Sequence, residues 1–380
     1  KTFLEEAAKT DIGPARQALV EQLLVEQTDF PWIEDGQATF IYNDIDPKSV
    51  ALNLDTIPRD PPFDPMVNLY GTSLWYVTRE FAPDDLLDYL LVVDDPMTPL
   101  AQERDLTARV SAHWKADPRN PLRMDTASMQ VSVLRMPRAR PFLDWSSFRA
   151  VPRGSVTEYA IDSTALGFSQ RKLWVYTPPD YEGSGLAYPL LILHDGQWAD
   201  GPLQVPFIAD TLIKHKRLQP AVIAMLQSGN QEERNREYLA NDQHYDFLLT
   251  ELLPFLQTTC RIDSASIALG GVALGAVAAG HAALRNPAVF NRLMMISAPL
   301  GTGQFQEQLA AFMAGVEQTE FTSQRMFHSV GRYEAKGRFY RPALALRDLL
   351  QTREKLSYRF VETGSGHGLV GFKSVMPEAL

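Results

Sequence analysis

Residues Gly270-Gly271-Val272-Ala273-Leu274-Gly275-Ala276 have the spacing of a strand-to-helix turn that presents a nucleophile, with a methyl group where the attacking oxygen belongs. Such a turn forces its central residue into a strained backbone conformation and lifts that side chain above the sheet. Flanking glycines leave room for the neighbouring strand and helix. Acyl transfer on this scaffold then needs an acid and a histidine later in the chain, plus backbone N–H groups facing the oxyanion. His367, in Gly364-Ser365-Gly366-His367-Gly368, follows the last expected strand, where glycines let a loop turn tightly. Glu334, in Gly331-Arg332-Tyr333-Glu334, stands where an acid would orient the imidazole, with Asp348, Glu354 and Glu362 as alternatives.

A second signal is His194-Asp195-Gly196-Gln197-Trp198, directly after an apolar run. A glycine at that strand end allows the N–H groups of Gly196 and Gln197 to face an oxyanion, and Leu274 would supply another. Trp198 would line the substrate side, and Arg171, Arg234 and Arg236 could grip an anionic substrate. Arg153, Lys172 and Arg332 are further cations available for that purpose. Each motif has a plainer explanation. Spaced glycines serve tight strand–helix packing, Asp-Gly makes ordinary turns, and charged segments are commonly solvated loops. Order along the chain and position relative to strands favour the joint reading.

The elements that must position these residues fall into two textures. Residues 1–28 read as one or two helices, from an apolar stripe at Leu19, Val20, Leu23, Leu24 and Val25. Short strands follow at 38–42, 50–54, 73–77 and 89–93, separated by Pro, Asp and Gly clusters, which suggests an antiparallel sandwich. The Pro-, Arg- and Asp-rich stretch 94–145 reads as an ordered linker. From about Gly154 strands alternate with helices, implying a largely parallel sheet covered on both faces. The domains expected are therefore 1–150, with helices, sandwich and linker, and 151–380, an α/β domain.

Composition narrows the function. The formal charge of −10 argues against a nucleic-acid binder, although a local cationic pocket stays compatible with it. No run reaches the roughly 18–20 apolar residues that cross a bilayer. The single cysteine, Cys260, rules out an intramolecular disulfide and a cysteine-based metal site. No cofactor is expected. A cytoplasmic setting fits, as does a periplasmic one, since a targeting peptide could have been removed before Lys1.

Together these pieces resemble the enterochelin (enterobactin) esterase family, from about Thr39 to His367. The resemblance rests on Lys172-Leu173-Trp174-Val175-Tyr176-Thr177-Pro178-Pro179-Asp180-Tyr181, Leu193-His194-Asp195-Gly196-Gln197-Trp198-Ala199, Arg236-Glu237-Tyr238, Glu251-Leu252-Leu253-Pro254, the elbow and Gly366-His367. Gly71-Thr72-Ser73-Leu74-Trp75 resembles the strand start of that family's N-terminal Ig-like domain. The resemblance implies an α/β-hydrolase with an Ig-like sandwich in front. It also implies hydrolysis of the ester bonds of a ferric catecholate siderophore or related peptide lactone. Ala273 then occupies the nucleophile position, His367 that of the base and Glu334 that of the acid. Ala276 and Gly368 depart from the family pattern, which has glycine and aspartate there. Three readings stay open: a serine esterase in which Ala273 is an engineered replacement, a natural pseudoenzyme or binding module that holds an ester without cleaving it, or, more narrowly, an enzyme in which His367 and Glu334 activate water directly or an acyl group moves to another acceptor.

Overall fold

The computed structural model describes residues 2–126, 128–303, 305–320 and 324–380. The chain divides into two compact units, Lys1–Arg140 with Gly364–Val370, and Pro141–Thr363 with Gly371–Leu380. The first boundary thus falls ten residues before the expected one, and a short segment close to the end of the chain groups with the beginning.

In the first unit the helices Thr2–Lys9 and Pro14–Glu26 precede an antiparallel sandwich. One sheet is built on Gln37–Asn43 and Leu74–Glu80, paired along their full lengths. The other is built on Val50–Leu54 and Leu86–Val93. Alternation along the strands sends Phe40 and Tyr89 into the core, where their rings meet edge to face at 4.8 Å. The stretch read as a linker is a correction. It contains a helix, Leu106–His113, and the strands Arg123–Asp125 and Gln130–Arg135, which extend the second sheet. Its charged texture is explained by pairing: Arg109 is buried and forms a two-pronged ion pair with Asp95.

Among the described residues the second unit holds eight strands. They are β1 (Ser155–Ser163), β2 (Phe168–Thr177), β3 (Tyr188–His194), β4 (Val222–Leu226), β5 (Ile262–Val272), β6 (Phe290–Ile296), β7 (Arg325–Gly331) and β8 (Ser357–Thr363). They form one sheet in the order β1-β2-β4-β3-β5-β6-β7-β8, parallel from β4 through β8. Leu190, Ile192, Val222, Ala224, Ile267 and Leu269 share one face of the sheet and are buried in its core. In this strand order the carboxyl ends of β3, β5 and β7 deliver Gly196 to Trp198, Ala273 and Glu334. No helix among the described residues is long and apolar enough to cross a membrane.

Candidate active site

β5 ends at Val272, and the helix Leu274–Arg285 begins two residues later. Between them Ala273 sits at φ 49°, ψ −124°, a conformation that costs a residue with a Cβ on the order of 1–3 kcal/mol. The glycines explain why the bend can form. A Cβ on Gly271 would lie 2.3 Å from the backbone of Gly275, and one on Gly275 would lie 3.0 Å from the Cβ of His194. Ala273 N–H donates to the Ile296 carbonyl at 2.9 Å, fixing the tip against β6. Ala276, where the family pattern has glycine, is fully buried against Met295 and Leu300, so its methyl is accommodated in packing.

Beside the elbow, β3 ends in His194, and Asp195 turns the chain through φ 58°, ψ 50° into the short helix Gly196–Asp200. Gly196 is required, because a Cβ there would fall 2.3 Å from the Met225 carbonyl. Gly196, Gln197 and Leu274 all lie in first turns of helices, where backbone N–H groups have no intrahelical acceptor. Gln197 is clamped by Ser228, donating to its hydroxyl at 2.7 Å and accepting from its N–H at 3.2 Å.

The arginines behave differently from expectation. The helix Gln231–Tyr238 is started by a capping box between Asn230 and Glu233, and it buries Arg234 and Glu237 on one side. Arg234 donates both prongs to Asp195 at 2.7 Å and lies over the rings of Trp198 and Tyr238. Arg171 likewise grips Glu237 at 2.5 and 2.9 Å. Both guanidinium charges are therefore spent inside the protein, which corrects their reading as substrate grips. Arg153, Lys172 and Arg332 are also paired, with Asp210, Glu158 and Glu362. Arg236 is exposed, and Trp198 is half-buried.

Glu334 follows β7 and is 2 % exposed. It accepts from the hydroxyl of Ser297 and from the N–H of Gly331, both at 2.6 Å. The alternatives are less enclosed: Glu354 is exposed, Asp348 pairs with Arg347 at the surface, and Glu362 pairs with Arg332 and Tyr340. His367 lies in the segment that groups with the first unit. There Leu86 N–H donates to the Gly364 carbonyl at 2.8 Å. Cβ atoms on Gly366 and Gly368 would approach the carboxylates of Asp55 and Asp88 to 2.3 and 3.2 Å. Glycines on either side of His367 thus serve a close approach of acids as well as a tight turn. Burial, reinforced by Asp55, pushes the Asp88 carboxyl up to about 6.

Sequence reasoning missed a buried histidine pair behind the elbow. His194 Nδ1–H donates to the Gly270 carbonyl at 2.9 Å, leaving its Nε2 to accept from His244 Nε2–H at 2.9 Å. This chain of bonds fixes both tautomers, and among the described residues His244 Nδ1 has no hydrogen-bond partner. Burial lowers the pKa of both rings and pushes that of His328, within β7, down to about 3. All three imidazoles are neutral in the folded protein near pH 7. Below about pH 6.5 the unfolded chain binds protons that the folded one refuses, so stability is lost as pH falls. The raised Asp88 carboxyl opposes this loss between about pH 4 and 6. Urea unfolding at successive pH values from 7.5 to 5 checks this; a flat profile would contradict neutral burial.

A strained elbow on a β5–helix junction, N–H groups at two adjoining helix starts and a buried acid after β7 define an α/β-hydrolase-type domain that follows an antiparallel sandwich along the chain. The chain belongs to the putative esterase family, whose model matches residues 163–376. The fold is similar to the enterobactin esterase of Shigella flexneri, solved in the presence of enterobactin, at 20 % identity and TM-score 0.77, covering 94 % of this chain and 96 % of that one. It is also similar to the ferric enterobactin esterase of Salmonella typhimurium, at 19 % identity and TM-score 0.74, covering 94 % and 98 %. A Shigella flexneri structure in the presence of 2,3-dihydroxy-N-benzoyl-serine matches at 21 % identity and TM-score 0.69, covering 94 % and 97 %. No curated protein sequence matches the chain.

Proposed function

We propose that this chain is a serine-esterase scaffold for an ester or lactone of the catecholate-siderophore kind, with Ala273 in the nucleophile's place. As it stands it binds such an ester and turns it over at most very slowly. The observation that carries this is the backbone of Ala273, a costly conformation maintained at a position whose side chain can do no chemistry. Backbone N–H groups of Gly196, Gln197 and Leu274 are assigned to the oxyanion, His367 to the base and Glu334 to orienting it. Neighbours solved with enterobactin and its benzoyl-serine fragment support the substrate class.

The pairing of the arginines refines the ligand's charge. With Arg171 and Arg234 neutralised by Glu237 and Asp195, those two side chains offer no net cation to a ferric tris-catecholate. The iron-free trilactone, or a neutral aryl ester, is therefore expected to bind more tightly than the ferric complex. Calorimetric titration of the chain with each form tests this. Binding of neither would remove the ligand assignment, and a preference for the ferric form would restore an anion site. Arg236→Gln is expected to change either affinity less than threefold, as for an exposed charge screened by salt.

A further inference from the structure

At the opposite, amino-terminal edge of the parallel strands, the registers place one row of residues across a single face of the sheet. Ile223 pairs with Leu191, Leu191 with Ala268, Ala268 with Arg292, and Arg292 with Arg325. Residues in register on adjacent parallel strands project to the same side, and the strands are only about 4.8 Å apart. The row therefore changes abruptly from apolar to doubly cationic. The next row on the same face continues the pattern, with Met294 beside Phe327 and Phe327 beside Arg359.

This face borders a groove of about 490 Å³, with Arg217 and Leu218 also lining it. That volume suits a small organic ligand. Arg359 is held by Glu378. Among the described residues, Arg217, Arg292 and Arg325 form no ion pair with a carboxylate. Partial burial and the neighbouring Arg325 both weaken protonation of Arg292, while Asp263 acts in the opposite sense. Two adjacent guanidiniums, Arg292 half-buried and Arg325 exposed, stand without a carboxylate partner on a sheet face that would ordinarily be apolar. A carboxylate or phosphate bridging both forks supplies what is missing, because planar guanidinium donors match those oxyanions in pairs.

We propose that this groove binds an amphiphilic anion, its oxyanion head between Arg292 and Arg325 and its apolar body along Leu191, Ile223 and Leu218. The site is separate from the elbow and does not depend on the esterase reading. The probes are octanoate, inorganic phosphate and octylammonium, titrated into the full chain at constant ionic strength by calorimetry and thermal melting. Octanoate is expected to bind most tightly and raise the melting temperature, phosphate to bind more weakly, and octylammonium not to bind. In Arg292→Gln/Arg325→Gln the octanoate Kd should rise at least about tenfold, the loss expected when two charge-assisted contacts are removed. The unliganded double variant should melt at a higher temperature than the parent, since the like-charge neighbours are gone; a lower melting temperature would overturn the uncompensated-charge argument. Equal octanoate affinity in the double variant would overturn the site. Binding of octylammonium equal to octanoate, or of phosphate without any preference for octanoate, would overturn the amphiphilic anion.

Discussion

Placing serine at position 273 is expected to raise ester hydrolysis by at least about 10³-fold and by up to about 10⁶-fold, the range over which a missing nucleophile depresses turnover. The elbow already holds its tip at φ 49°, and serine fits that backbone as well as alanine does. The hydroxyl would be the only atom added. Steady-state assays with an aryl ester and with a catecholate trilactone measure the gain. In the Ala273→Ser background, His367→Ala should return the rate to that of the parent chain. Glu334→Gln should cost less, because an orienting acid is only one contributor to imidazolium stability. Activity in Ala273→Ser that survives His367→Ala would move the base elsewhere. No gain at all would end the esterase reading.

The second large effect is on stability. Asp195 and Arg234 are both buried, with side chains 0 % and 9 % exposed, and bonded through two contacts of 2.7 Å. Asp195→Asn keeps the left-handed turn, which asparagine tolerates, yet leaves the Arg234 charge without its counterion. The expected loss is about 3–5 kcal/mol of unfolding free energy, most of it the cost of a buried unpaired charge. Adding Arg234→Met should recover part of that loss, since the second substitution removes the stranded charge. A double-mutant cycle by urea unfolding reads the coupling directly. If Asp195→Asn costs under 1 kcal/mol and the cycle is additive, the pair does not hold the turn together. Catalysis should respond as well. Asp195 immediately precedes Gly196, and its Oδ2 would lie 2.9 Å from a Cβ on Gly275, so it braces both helix starts assigned to the oxyanion.

What could be read from the sequence was what depends on local spacing. Gly271 and Gly275 mark the elbow because sterics act over four residues, and β3 through β8 announce themselves as apolar runs between helical segments. Glu334 was legible from its position after a strand, although its contact with Ser297 was not. Arg234 was misread because its partner Asp195 lies 39 residues away, and a charge in a sequence looks the same whether solvated or paired. The stretch 94–145 was misread because its strands are short and its charges, such as Arg109 with Asp95, are neutralised internally. The His194–His244 pair was hidden for the same reason, its members being 50 residues apart.

The return of Gly364–Val370 to the unit that begins the chain has a consequence for biosynthesis. A ribosome that has translated as far as Arg140 has not yet made everything that unit contains. Asp55 and Asp88 must wait for the glycines that approach them until β8 has been translated. Completion of the sandwich unit is thus tied to translation of the segment after β8, and a nascent fragment released before it would lack the piece that bears His367.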